Sequence, residues 1–315
     1  MEVLQEQDVV KRLDPRQLVG SVEAALRQLG AAEAGQPSQV QMPLPGDAGD
    51  TIFYTAASAK PPLLSMTVSP FIVARLAKGL SPVTAYTLLL CGGTGLPLAL
   101  IESKTMVAAR TGATTWIAAR KLARRLDHIA IIGSGQVAEW HLRCIADASV
   151  KSLSFFSPNL SDPSKKDRRR ELLALDERVR FAATASEAVD GAGVVMLCTA
   201  SASPVIDPGA VPDDALITSI TTDGPNAHEI EPSHLSNLDV YCDYRATTPS
   251  IASEMRLASE RCGWSASRVI ADLPELLQPE GSGPTQSTRR RYFRSVGLGI
   301  EDLAAAAAIL GIPCT

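Results

Sequence analysis

Short apolar runs alternating with helical stretches predict an α/β fold in two parts, a mixed α+β domain followed by a parallel-sheet domain. Three observations carry that expectation. A strand-like series with a glycine-rich turn occupies residues 51–102, a long helix rich in small residues follows over 103–125, and strands alternate with helices from residue 129 to residue 242. At 315 residues the chain can bury a substantial core in two domains.

The first part opens with a short strand and an amphipathic helix over 15–34, in which Leu18, Val22, Ala25, Leu26 and Leu29 keep the helical period. Residues 36–50, rich in Pro, Gly, Gln and Asp, read as a loop with 39–43 extended. Strands are expected at 51–55, 63–69 and 84–91, and Gly92-Gly93-Thr94-Gly95 turns the last of these into another at 96–102. In the helix over 103–125, Ala108, Ala109, Gly112, Ala113, Ala118 and Ala119 let a neighbouring backbone approach closely.

In the second part, residues 129–132, 152–156, 179–183, 194–199, 216–220 and 239–242 read as strands with helices and loops between them. Residues 291–295 precede Gly297, and an alanine-rich helix over 301–310 ends the chain and returns to the first domain. The expected boundaries are 1–125 with 290–315 for one domain and 126–289 for the other.

Composition excludes several function classes. A net charge of -4 gives no general attraction to nucleic acid, and the basic runs at 120–125, 165–170 and 289–291 read as solvated helix faces or turns. Aromatic residues make up only 4%, which argues against base-stacking platforms. No apolar stretch is long enough for a membrane span, and the N-terminus lacks the pattern of a signal peptide. Six scattered cysteines without a CxxC read as reduced thiols of a cytoplasmic protein, and four histidines without HxH or HExxH spacing predict no metal site.

The most informative motif is Gly133-Ser134-Gly135-Gln136-Val137-Ala138. It follows the apolar run 129–132 and opens a helix, the context a dinucleotide-binding turn requires. Gly133 permits the tight turn, Gly135 lets backbone approach a pyrophosphate, and Ala138 keeps the helix close to the sheet. Ser134, Gln136 and Val137 complete a cradle of backbone N–H groups at the helix N-terminus. A merely structural turn is the alternative. The second parallel strand ends in Ser157-Pro158-Asn159 with no acid before Asp162, while Lys165, Lys166 and Arg168 follow. A carboxylate at that point would repel a 2'-phosphate, so its absence tilts the cofactor toward NADP over NAD, with Ser157 a donor to the phosphate. Thr199 ends a later strand and either passes near the cofactor or caps the strand.

Residues 102–125, the turn at Gly133, the segment Thr222-Asp223-Gly224-Pro225 and the run 293–302 together resemble the ornithine cyclodeaminase/mu-crystallin family over nearly the whole chain. The resemblance implies a Rossmann dinucleotide-binding domain and an N-terminal mixed α+β domain completed by the C-terminal helix, the latter carrying substrate and dimer contacts. It further implies a homodimer that uses NAD(P) for hydride transfer at an amino or imino acid carbon; charge and hydropathy add the expectation of no nucleic-acid or membrane partner. Arg110 matches the family arginine that contacts the substrate carboxylate, which suits a planar guanidinium fork, and Thr111 beside it caps the helix or contacts phosphate. Asp223 matches the acidic residue beside the nicotinamide, although its Asp-Gly-Pro setting also suits an ordinary turn.

Two departures narrow the reading. Where the family carries a catalytic lysine, this chain has Ser65 or Met66, with Lys60 a few residues upstream. Where a second arginine grips the carboxylate, Gln41 or Gln39 stands nearest. Ser65, Gln41 and Arg110 are therefore the expected substrate contacts. His228, in a stretch altered from the family's Gly-Lys-x-Glu, is either a replacement acid–base or a surface turn residue, and His141 reads as a packing residue. The expected activity is that of an imine reductase or amino acid dehydrogenase. A cyclodeaminase using NAD catalytically is one alternative, and a non-enzymatic crystallin-like cofactor-binding homodimer is another.

Overall fold

The structure, a computed structural model, describes residues 1–161, 166–222, 226–279 and 283–314. It divides into two compact units, Met1–Arg110 with Leu298–Thr315, and Thr111–Gly297. In chain order the first half runs β1 (Glu2–Leu4), α1 (Glu6–Arg12), α2 (Pro15–Gly30), β2 (Ala34–Gly35), β3 (Val40–Pro43), β4 (Gly49–Ala59), β5 (Pro62–Ile72), α3 (Val73–Leu76), β6 (Tyr86–Cys91), β7 (Pro97–Glu102) and α4 (Lys104–Leu122). There follow β8 (His128–Ile132), α5 (Gln136–Cys144), β9 (Ser152–Phe156), α6 (Lys166–Leu175), β10 (Val179–Phe181), α7 (Ala185–Val189), β11 (Val194–Leu197) and β12 (Leu216–Ser219). The chain ends with β13 (Asp239–Cys242), α8 (Thr248–Ile251), α9 (Ser253–Arg261), β14 (Val269–Asp272), α10 (Leu273–Leu276), β15 (Arg291–Arg294) and α11 (Gly299–Ile309).

The first unit is built on a sheet ordered β1-β7-β6-β5-β4-β2, with β3 also on β4, and only β1 is parallel to its neighbour. The β4–β5 hairpin pairs Tyr54 with Thr67 and Ala56 with Ser65, so those four share one face, and all four are buried. α11 packs on β4, β5 and α2 and is buried along its whole length. A Cβ at Gly299 would lie 2.4 Å from Thr55 O, so glycine there permits the approach to β4. α2 begins with Asp14 accepting from the Gln17 N–H and Pro15 in the first turn, and ends at Gly30 rather than running to residue 34. Its Leu18, Val22 and Leu26 are fully buried, each contributing about 1.5–3 kcal/mol. The opposite sheet face is different: Leu64, Met66 and Tyr86 are 39%, 40% and 46% exposed.

The second unit is a parallel sheet ordered β10-β9-β8-β11-β12-β15-β13-β14. Its central strands read as continuous apolar runs because both faces are buried, as in Val194–Leu197. From β8 the chain winds through β9 and β10 on one side, then through β11 onward on the other. The strand order therefore reverses between β8 and β11, where α/β sheets open a crevice at the strands' carboxyl ends.

Two expectations are corrected. β15 lies inside this sheet between β12 and β13, so the second unit continues to Gly297 and does not end at residue 289. Tyr292 and Phe293 are fully buried there, and the two flanking arginines, which masked the strand, find carbonyl acceptors on Leu122 and Thr221. β14 and α1 are not expected from the sequence: β14 is an apolar run of only three residues, and α1 has only two apolar residues in seven. Among the described residues no helix is long and apolar enough to cross a membrane.

Candidate functional site

The glycine turn stands at the carboxyl end of β8, at the reversal of strand order. Gly133 has φ 134°, and a Cβ there would come within 2.3 Å of Cys198 O beyond β11. Glycine is thus required both by the backbone angle and by the approach of the two strand ends. Gly135 is the N-cap of α5 and makes no side-chain cap bond. A Cβ on it would meet nothing within 4 Å, so there is open space beside Gly135 where Gln136 and Val137 begin the helix. That is the arrangement in which backbone N–H groups and the helix dipole receive a pyrophosphate, and the turn fits a dinucleotide. Ala138 is buried against the sheet, and a Cβ on Gly112 would lie 2.6 Å from Trp140 O, so α4 and α5 meet backbone to backbone.

Beside the turn, Ser134 Oγ donates to Ser157 Oγ at 3.1 Å, bringing two of the expected cofactor contacts together at the end of β9. Arg168 strengthens this corner. Its Nε donates to Ser134 O at 2.9 Å and its Nη2 to Gly135 O at 3.1 Å, while Nη1 pairs with Glu139 at 2.7 Å. Asp162 and Lys165 lie outside the described residues.

On the other side of the reversal the organising residue is Glu229, which the sequence reading passed over. Its Oε1 accepts from the Thr199 N–H at 2.8 Å and from Thr199 Oγ1 at 2.7 Å. Its Oε2 accepts from Ser219 Oγ at 2.8 Å and from the N–H groups of Ile220 at 3.0 Å and Thr221 at 3.4 Å. Burial raises its pKa, and these donors pull the other way. Arg294, also fully buried, donates to Thr221 O. Its Nε stands 2.7 Å from Glu254 Oε1, an ion pair by distance, although the N–H is not aligned well enough for a hydrogen bond. The signal for Glu229 was the family's Gly-Lys-x-Glu stretch, whose glutamate this chain keeps between His228 and the apolar Ile230.

In the first unit, Arg110 is buried on α4. Its Nε donates to Asp302 Oδ1 at 2.8 Å and its Nη1 to Glu301 Oε2 at 3.2 Å, both carboxylates lying on α11. Its guanidinium carbon stands 5.8 Å from the centre of the Tyr54 ring. Burial works against the charge, but Asp302 and Glu301 outweigh it and hold the pKa above its usual value. Ser65 is buried on the face that carries Tyr54, and its Oγ has no hydrogen-bond partner. Met66 points to the opposite, exposed face, so of the two it is Ser65 that lies on the Tyr54 side. Lys60 is not in register with it; it sits at the β4–β5 turn in an exposed pair with Glu33. Gln41 is exposed on β3, its Nε2 donating to Asp50 at 3.1 Å. Thr111, buried next to Arg110, belongs to the second unit.

The remaining candidates separate. Asp223, with Gly224 and Pro225, lies outside the described residues. His228 Nδ1 stands 2.6 Å from Asn226 O in a local turn. His141 is buried between Val137 O and Thr115 Oγ1, at 2.8 and 3.0 Å. Burial lowers its pKa to about 4, so it remains neutral.

The family model for ornithine cyclodeaminase/mu-crystallin proteins matches residues 1–311. The NAD(P)H-dependent anabolic L-arginine dehydrogenase of Pseudomonas aeruginosa is 40% identical over 310 residues, covering 96% of each chain. The ketimine reductase mu-crystallin of Mus musculus is 24% identical over 92% of this chain and 90% of its own. Among solved structures, the Δ1-pyrroline-2-carboxylate reductase of Thermococcus litoralis, in complex with NADH and L-proline, superposes with a TM-score of 0.90 at 23% identity. That likeness covers 99% of this chain and 97% of the other, and it establishes the shared fold.

Proposed function

The chain belongs to the ornithine cyclodeaminase/mu-crystallin family, and from that premise we propose that it is an NAD(P)H-dependent oxidoreductase acting on an amino or imino acid. The observation that carries the proposal is the glycine turn, with Gly135 facing open space at the α5 N-terminus where the sheet order reverses. Gly133, Ser134, Gly135, Gln136 and Val137 would hold the pyrophosphate, with Ser157, Thr199 and Thr111 as further cofactor contacts. When bound, the nicotinamide supplies or accepts the hydride. Ser157 at the end of β9, followed by no acid before Asp162 in the sequence, and Arg168 beside the turn favour NADP over NAD at the adenosine ribose.

Arg110 would meet the substrate carboxylate, its guanidinium held in a fixed orientation by Asp302 and Glu301. Asp223, from its place in the sequence, would stabilise the substrate nitrogen in its charged form. Ser65 stands where family members carry lysine and offers a hydroxyl in place of a cation, with Gln41 as a second uncharged contact. Ser65 cannot do the proton transfer that a lysine does, which favours reduction of an imine formed from a 2-oxo acid and an amine.

The experiment is to bind NADPH and NADH by fluorescence titration, then follow the nicotinamide absorbance with L-arginine, its 2-oxo acid plus ammonia, and cyclic imino acids. L-arginine comes first because the Pseudomonas aeruginosa relative is named for it. Net cofactor turnover with one of these supports the reading. Cofactor binding without turnover on any of them would leave a non-enzymatic binding protein.

We also place the protein in the cytoplasm as a homodimer. The apolar outer face of the first sheet, with Leu64, Met66 and Tyr86 exposed, suits a second copy. Met66→Glu should convert the dimer to monomer in sedimentation; a wild-type chain that sediments as a monomer rules this out.

A further inference from the structure

We propose that Glu229 is a positioning residue that shapes the nicotinamide half of the cofactor site by locking together the carboxyl ends of β11 and β12. The inference rests on the cofactor reading above and extends it to a residue that touches no ligand itself.

A dinucleotide lies across the crevice where strand order reverses, one half on each side. Here the glycine turn, Ser134 and Ser157 occupy the β8–β9 side. The other half must rest on the ends of β11 and β12, at Thr199 and the segment Ile220–Thr221. Both segments are loops leaving buried strands, and each exposes backbone N–H groups inside the fold that need acceptors. One carboxylate supplies them all. Glu229 Oε1 takes the N–H and hydroxyl of Thr199, and Oε2 takes the hydroxyl of Ser219 and the N–H groups of Ile220 and Thr221. Three of these five partners are backbone N–H groups, which can only donate, and each carboxylate oxygen accepts from at least one of them.

Arg294 completes the clamp from the opposite direction. Thr221 presents its N–H to Glu229 and its C=O to Arg294, so this residue is fixed on both sides by buried, oppositely charged groups. The sheet thereby carries its two loop exits as one rigid ledge. A glutamine at 229 cannot reproduce it. Its NH₂ must face either the Thr199 N–H or the Ile220 and Thr221 N–H groups, and donor against donor releases one loop.

The test uses the whole protein and ligands of different reach, the fragment ADP and the whole cofactors NADH and NADPH. ADP contacts only the glycine-turn side, whereas NADH and NADPH span both. In Glu229→Gln, affinity for NADH and NADPH should fall about tenfold, as expected for leaving buried donors unpaired, while ADP affinity stays within about twofold of wild type. Ser219→Ala, which removes one donor and keeps the carboxylate, should move the same way by about threefold and covers the case in which Glu229→Gln does not fold. Equal losses for ADP and NADH in either variant would show a general defect of the sheet and overturn the proposal. So would unchanged affinities for all three ligands in a folded variant. If the wild-type protein binds ADP, NADH and NADPH not at all, the cofactor reading itself falls, an outcome distinct from both.

Discussion

Arg110 and Asp302, 192 positions apart in the sequence, form a fully buried ion pair at 2.8 Å that ties α4 to the C-terminal helix. Glu301 adds a second carboxylate at 3.2 Å, so one guanidinium answers two buried anions. The final helix therefore belongs to the first unit by electrostatics as well as by its apolar face.

This arrangement predicts unequal costs of substitution. Asp302→Asn leaves Arg110 paired with Glu301 and should cost about 2 kcal/mol of stability in urea unfolding. Arg110→Met removes the cation facing two buried carboxylates and should cost about 3–5 kcal/mol. Equal costs would mean that the charges do not hold this helix. On the identified substrate, Arg110→Lys should also lose most of kcat/KM, because an ammonium cannot present the planar fork.

His141 gives a pH dependence with a defined sign. Its pKa falls from 6.5 in the unfolded chain to about 4 in the fold, because burial disfavours the charged ring. The unfolded state then binds the proton more tightly, so the stability His141 contributes is present above about pH 6.5 and is lost as pH drops through about 4. His141→Gln removes that titration. Across this window the wild type should lose on the order of 3 kcal/mol relative to the variant. Parallel stability curves for the two proteins from pH 7 to pH 4 would sink the assignment.

How much of this was legible beforehand depends on whether the physics was local. The glycine turn could be read because its cause, a strand running into a helix through residues without side chains, is written in six consecutive positions. Arg110 could be placed in a tight setting from the small residues around it. Its partners Glu301 and Asp302 could not be identified, since nothing in an alanine-rich helix says which distant cation its acids meet. Glu229 escaped for the same reason: its five donors come from two separate stretches of chain, Thr199 and Ser219 to Thr221. β15 was masked because its arginines look like surface charge until their carbonyl acceptors are known. The choice between Ser65 and Met66 turned on strand register, which the hairpin fixed by pairing Ser65 with Ala56.

Thiol chemistry should follow burial. The pKa of Cys144 is pushed up to about 12 by burial, and Cys198 and Cys242 are raised by the same cause. Cys91 is lowered by hydrogen bonding from Thr94 and Gly93, and Cys262 is exposed. Alkylation of the native protein at neutral pH, read by mass spectrometry, should mark Cys91 and Cys262 first and reach the three buried thiols only on unfolding. Early labelling of Cys144 would mean that α5 opens in the native state.

The two glycines of the turn should fail in different ways, and that difference tests the cofactor site directly. Gly133→Ala sets a Cβ within 2.3 Å of Cys198 O at a φ of 134°, so the strand end itself must move. It should lower Tm as well as cofactor affinity. At Gly135 an added Cβ meets no protein atom within 4 Å, and the backbone has an ordinary φ of -76°, so Gly135→Val is compatible with the fold there. It should fold with nearly wild-type Tm yet bind NADPH at least about tenfold more weakly, because its side chain fills the space the pyrophosphate needs. A Gly135→Val protein that keeps full cofactor affinity would mean that the open space at the helix N-terminus is not where the dinucleotide lies.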